Sequence, residues 1–229
     1  MKNESLFEFF TTAQLVKNVN GVETKINQPA IYSSISASPD KKYWLVRTIR
    51  KPFSYVVPAN GFNSTIAVHD ANGKFVKEIA QLPSSETAPA GNDNVADVPR
   101  AIEWRDDEAA TIVWCKPLDG GLIKNTAEYR DAVYALAAPF TAQPKELFKT
   151  KMRYAGVTWG NSSFAIVQEM LRSKVMGRMS KWNPSTGEME VLQERSANDA
   201  YSNYGNPVSE KNSFNRDVVI PHDGKLLMN

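Results

Sequence analysis

The chain has 229 residues, 42% of them apolar and 23% charged, the balance of a folded polypeptide with a core rather than of a disordered tail. With 27 Lys and Arg against 25 Asp and Glu, the formal charge of +2 lacks the basic excess that tracks a phosphate backbone, which argues against a nucleic-acid partner. The one cysteine, Cys115, excludes an internal disulfide and a cysteine-rich zinc site, no stretch approaches the roughly 20 apolar residues that span a bilayer, and no cofactor or metal motif is present.

Taken in chain order, residues 6–10 are interrupted by Glu8 and are too short for the apolar core of a secretory signal. Residues 16–19, the pair Asn20-Gly21 and residues 22–26 read as a hairpin, because Asn-Gly supplies the positive φ angles of a tight primed turn. A four-stranded meander follows: residues 31–36, the turn Ser38-Pro39-Asp40, residues 43–49, residues 65–70, the turn Ala71-Asn72-Gly73, and residues 75–79. The same order returns at 100–104, 111–115, 132–137 and 146–149, and again at 154–159, 164–169, 177–182 and 188–193. Trp104 and Trp159 occupy the same place in the repeat. Residues 217–220, the turn Pro221-His222-Asp223-Gly224 and residues 225–228 complete the pattern.

Four-stranded meanders in series are the signature of radial blades, since one small sheet cannot bury both faces alone and stacks on its neighbours. The expected fold is therefore all-β: antiparallel four-stranded blades of a β-propeller, partial in extent. The boundaries are a half-blade at 6–28, blades at 31–82, 99–150 and 151–195, and a half-blade at 213–229. Two long inserts, 83–98 and 116–130, are rich in Pro, Gly, Ser, Asn and Asp and read as rim loops. Cut half-blades would leave unpaired strand edges, which favour edge-mediated self-association unless lysines such as Lys2, Lys17, Lys25, Lys211 and Lys225 blunt them.

Most single residues that could suggest chemistry have a plainer reading. Cys115 lies in a β-type run and reads as a buried inert thiol. His69 and His222 have no spaced partner and read as turn residues beside Asp70 and Asp223. Arg172, Lys174, Arg178 and Lys181 read as the solvated side of a strand pair. Trp44, Trp104, Trp114, Trp159 and Trp182 fit packing between blades better than a stacking platform for sugars or bases. Asn63-Ser64-Thr65 and Asn161-Ser162-Ser163 match the glycosylation pattern, a short motif of low specificity.

Four segments carry a family resemblance: Arg50-Lys51-Pro52-Phe53-Ser54-Tyr55-Val56-Val57-Pro58, Pro99-Arg100-Ala101-Ile102-Glu103-Trp104-Arg105-Asp106, Asp119-Gly120-Gly121 and Arg153-Tyr154-Ala155-Gly156-Val157-Thr158-Trp159. Together they resemble the amino-terminal propeller of the prolyl oligopeptidase family of serine peptidases, in the branch containing glutamyl endopeptidases. The resemblance runs in unbroken order from about Leu6 to about Val208.

In that family the propeller caps an α/β-hydrolase domain and restricts which peptides reach the serine. The resemblance therefore implies a segment that gates and orients peptide substrates for a hydrolase domain joined to it in the parent protein, in a periplasmic or secreted location where the parent carries a leader. The chain itself has no Gly-x-Ser-x-Gly elbow followed by an acid and a histidine, so no catalytic residue is assigned. For a peptidase that cleaves after acidic residues, a guanidinium suits the substrate carboxylate, because its planar fork makes two hydrogen bonds. Arg50 is the candidate, with Tyr55 beside it as a second substrate-binding residue. The alternative is a free-standing propeller that binds proteins or peptides through its loops.

Overall fold

A computed structural model describes residues 2–223 and 225–229, and Gly224 of the expected last turn lies outside the described residues. The chain divides into two compact units, one ending at Ala88 and the other beginning at Pro89.

The first unit opens with a helix, α1 (Lys2–Thr11). Its last turn is closed by Thr11 Oγ1 donating to Phe7 O and Thr12 Oγ1 donating to Glu8 O, which satisfies carbonyls that a helix end leaves open. Phe7 faces inward and meets Phe53 and Phe62 edge-on at 4.9 and 5.6 Å. A five-stranded antiparallel sheet follows in the order β1 (Ala13–Val19), β2 (Val22–Ala37), β3 (Tyr43–Ile49), β4 (Ser64–Asp70) and β5 (Phe75–Leu82). The Asn20-Gly21 turn stands where the sequence places it, with φ of 51° and 85°. β2 is long because it serves twice: its first part pairs with β1 and its second with β3. Between these parts the β1–β2 register breaks, and the side chain of Gln14 bridges the break by donating to Ile26 O and Asn27 O.

The second unit holds two four-stranded antiparallel sheets. One is β6 (Arg100–Trp104), β7 (Thr111–Pro117), β8 (Asp131–Ala137) and β9 (Lys145–Thr150); the other is β10 (Arg153–Asn161), β11 (Phe164–Leu171), β12 (Met176–Trp182) and β13 (Met189–Ser196). These are the antiparallel four-stranded blades expected of a partial propeller. Inner strands are buried on both faces, which is why Ile112-Val113-Trp114-Cys115 and Phe164-Ala165-Ile166-Val167 are continuous apolar runs rather than alternating ones. The last strand of each sheet, β9 or β13, is largely solvent-facing and mixes charged residues with apolar ones.

The two sheets share one core. Val113, Cys115, Val133 and Phe148 from the first meet Tyr154, Trp159, Val167 and Trp182 from the second. Trp159 and Trp182, each 2% exposed, lie edge to face at 6.2 Å and fill the wedge between blades, as the sequence predicts for these two rings. On the far face of the second sheet, Phe164 and Ile166 are covered by Val219 of the hairpin β14 (Ser209–Lys211) and β15 (Asp217–Val219). The strand expected at 225–228 is not a regular one: Val208 N donates to Leu227 O, and Asn206 and Asn229 exchange backbone hydrogen bonds, so the segment folds back on residues 206–208.

Candidate functional site

The loop between β3 and β4 carries both residues singled out in sequence. Phe53 and Phe62 anchor it beneath α1, while Arg47 reaches across with Nε on Ser64 Oγ (3.0 Å) and a terminal nitrogen on Asn60 O (3.0 Å). Ser54 Oγ accepts the amides of Val56 and Val57 and bonds to Glu86, and Asn63 ties the loop together from Pro52 O to the amide of Ser84. Lys51 pairs with Glu8 of α1 at 2.6 Å. The loop is thus internally braced, and it presents Tyr55 (69% exposed) and Val56 (83%) to solvent.

Arg50 stands at the root of this loop, its amide donating to Asn63 O. Its side chain is half-buried, with one long hydrogen bond of 3.4 Å to Ser64 O, and its Nε is sealed from solvent without a partner among the described residues. Among the described residues it pairs with no carboxylate, unlike Arg100, Arg105, Arg130, Arg153 and Arg178. Among the described residues no hydrogen bond joins Arg50 to Tyr55, so the two are placed on one loop without being brought together.

The other three segments that carry the resemblance converge elsewhere. In the second unit, Arg153 of β10 forks onto Asp119, reaches Asp131 at 3.2 Å and donates through Nε to Asp93 O. Asp131 also receives Arg100 and the amide of Tyr154, and Asp119 also receives Arg130 at 3.0 Å. The carboxylate of Asp93 takes the amides of Arg172 and Ser173 at 2.7 and 2.8 Å. Burial alone would push Asp93 up, but the hydrogen bonds from Ser173 and Arg172 and the charge of Arg153 outweigh it and hold the carboxyl below its usual value.

This cluster fastens residues 89–98 and 117–130, the parts of the two long inserts within this unit, to β8 and β10. The attachment is close: Val95 N donates to Gly121 O, Ile123 N donates to Asn94 Oδ1, and a Cβ on Gly121, whose φ is +78°, would stand 2.0 Å from Val95 O. Sequence reasoning missed Asp93 and Asp131 altogether. Asp119 and Arg153 were visible only as members of recognisable segments, because a pairing across 34 residues leaves no local pattern.

The remaining expectations are placed as follows. Cys115 is fully buried and burial pushes its thiol up to about 12, which makes it inert at neutral pH. His69 Nδ1 donates to Gly73 O, and His222 Nε2 pairs with Glu210 at 2.7 Å. Arg178 departs from the solvated face expected of it: its side chain is 16% exposed and lies between Glu194 and the buried Glu169. Among the described residues no helix is long and apolar enough to cross a membrane.

No protein-family model matches the chain. A protein of Oryza sativa subsp. japonica named "Probable glutamyl endopeptidase, chloroplastic" is 34% identical over 219 residues, covering 93% of this chain and 23% of that protein. The chain is related to the glutamyl endopeptidases. A second glutamyl endopeptidase of the same name, from Arabidopsis thaliana, is 31% identical over the same share of each. The chain thus spans 23% of the length of these relatives. Among solved structures, the acylaminoacyl peptidase of Pyrococcus horikoshii aligns with a TM-score of 0.43 at 15% identity, over 79% of this chain and 28% of that one.

Proposed function

We propose that the chain is the non-catalytic propeller segment of a glutamyl endopeptidase-like serine peptidase, and that it gates and orients peptide substrates for an α/β-hydrolase domain in the same parent protein. Its blades are residues 31–82, 99–150 and 151–195; of the half-blade expected at 6–28 the hairpin of β1 and β2 follows helix α1 and joins the first blade's sheet, and the half-blade at 213–229 contains β15. The observation that carries this reading is 34% identity to a glutamyl endopeptidase over 93% of the chain, in a stretch that makes up 23% of that relative. A segment of this kind supplies shape and charge at the mouth of an active site rather than the reacting groups.

Within that reading Arg50 binds the acidic side chain of the substrate. It is an arginine without a carboxylate partner among the described residues, with one long hydrogen bond, at the root of a braced loop that leaves Tyr55 and Val56 exposed. A guanidinium so placed can turn its fork to an incoming carboxylate, and the neighbouring Tyr55 offers a flat apolar surface to the substrate chain. The test is Arg50→Ala with the hydrolase domain joined on, comparing kcat/KM for matched glutamyl and glutaminyl peptides. Loss of a charge-assisted fork lowers the preference for glutamyl by about tenfold or more. An unchanged ratio removes Arg50 from the site.

A further inference from the structure

Tyr55 and Val56 project into solvent from a stretch that has no helix or strand of its own, so no ladder of backbone bonds holds them. Much of the holding falls to one hydroxyl. Ser54 Oγ accepts the amide of Val56 at 2.9 Å and the amide of Val57 at 3.0 Å, which wraps residues 54–57 around a side chain instead of a backbone carbonyl. Val57 then packs inward on the cluster of Phe53 and Phe62, and Tyr55 and Val56 are left facing out.

A hydroxyl has one proton and two lone pairs. With both lone pairs given to Val56 and Val57, the proton needs an acceptor elsewhere, and Ser54 Oγ donates it to Glu86 Oε1. Glu86 lies in another segment, the short helical turn Ser85–Thr87 after β5. That turn is itself fixed: Ser84 Oγ accepts the amide of Glu86, and Asn63 Oδ1 accepts the amide of Ser84 at 2.9 Å. Gly61 lets it come close, since a Cβ there would collide with Ser85 Oγ and stand 3.3 Å from Val57 Cγ2. A charged acceptor on the hydroxyl proton also makes the oxygen a better acceptor, because successive hydrogen bonds polarise one another.

We propose that Ser54 is a positioning residue for the peptide substrate, and that Glu86 orients Ser54 by fixing the direction of its proton. The pair sets Tyr55 and Val56 where a peptide meets them, so the loop is ordered before binding rather than at its expense. Neither residue touches substrate. The inference rests on the reading of this loop as a substrate contact, and it concerns affinity for the peptide, whereas that reading gives the choice of an acidic residue to Arg50.

The test has two arms. In the chain alone, hydrogen exchange at the Val56 and Val57 amides quickens in Ser54→Ala and in Glu86→Ala, with thermal unfolding unchanged. With the hydrolase domain joined on, Ser54→Ala raises KM by about tenfold and Glu86→Ala by about threefold, for glutamyl and glutaminyl peptides alike and with kcat unchanged. Glu86→Gln, whose amide oxygen still accepts the Ser54 proton, restores most of the KM. The double variant is no worse than Ser54→Ala, as two groups in one chain of bonds require.

Tyr55→Ala separates the outcomes. If it raises KM while Ser54→Ala and Glu86→Ala do not, the positioning role is overturned and the loop keeps its place in the site. If Tyr55→Ala also leaves KM unchanged, the loop is not a substrate contact and the positioning role falls with that reading. Additive effects in the double variant, or no rescue by Glu86→Gln, overturn the proposal as well.

Discussion

The guanidinium of Arg153 meets both carboxylate oxygens of Asp119 at 2.9 and 2.8 Å, with side chains 7% and 0% exposed. Removing one partner of a buried pair leaves an uncompensated charge. Arg153→Ala should therefore destabilise the second unit by about 3–5 kcal/mol, read by urea unfolding. Arg153→Lys should recover only part of this, because an ammonium cannot fork onto Asp119 while also reaching Asp131 and Asp93 O.

Asp93 gives the same cluster a pH dependence of known sign. A carboxyl held below its usual value in the folded state contributes stability above the unfolded value of about 3.9, and that contribution is lost as pH falls through the folded value. Asp93→Asn should accordingly lose about 1–3 kcal/mol near neutral pH, where a charged acceptor of two amides is replaced by a neutral one. The gap to the unmodified chain should close at the acid end of an unfolding series.

Gly121 tests how tightly the inserts are joined. Gly121→Ala places a Cβ 2.0 Å from Val95 O at a φ of +78°. The expected cost is about 2 kcal/mol or more, with faster hydrogen exchange at the Val95 amide, whose acceptor is Gly121 O.

Cys115 reports opening of the core directly. With its thiol fully buried and pushed up to about 12, native protein should react with an aromatic disulfide reagent only as fast as it unfolds, and denatured protein at once. Rapid stoichiometric labelling of native protein would contradict the burial.

The blades were legible in sequence because their signals are local. Asn20-Gly21 fixes a hairpin by backbone conformation, and the place of Trp159 in the repeat is the one whose ring fills the wedge beside Trp182. Helix α1 was not legible, since its ten residues show no strong apolar stripe and its place is set by one side chain, Phe7, docking on Phe53 and Phe62. Arg178 was misread for a related reason: strand alternation says that it points out of the sheet, but not that Glu194 on the paired strand would cover it. Arg50 could be named from the resemblance alone, whereas its weakly engaged guanidinium is a property of the folded loop.

The most direct test of the central claim exchanges the matching 219-residue stretch of the rice glutamyl endopeptidase for this chain and assays a short glutamyl peptide beside the isolated chain. The account predicts turnover by the exchanged protein and none by the isolated chain. A folded exchange protein without activity, or turnover by the isolated chain that persists through successive purification steps, would contradict it.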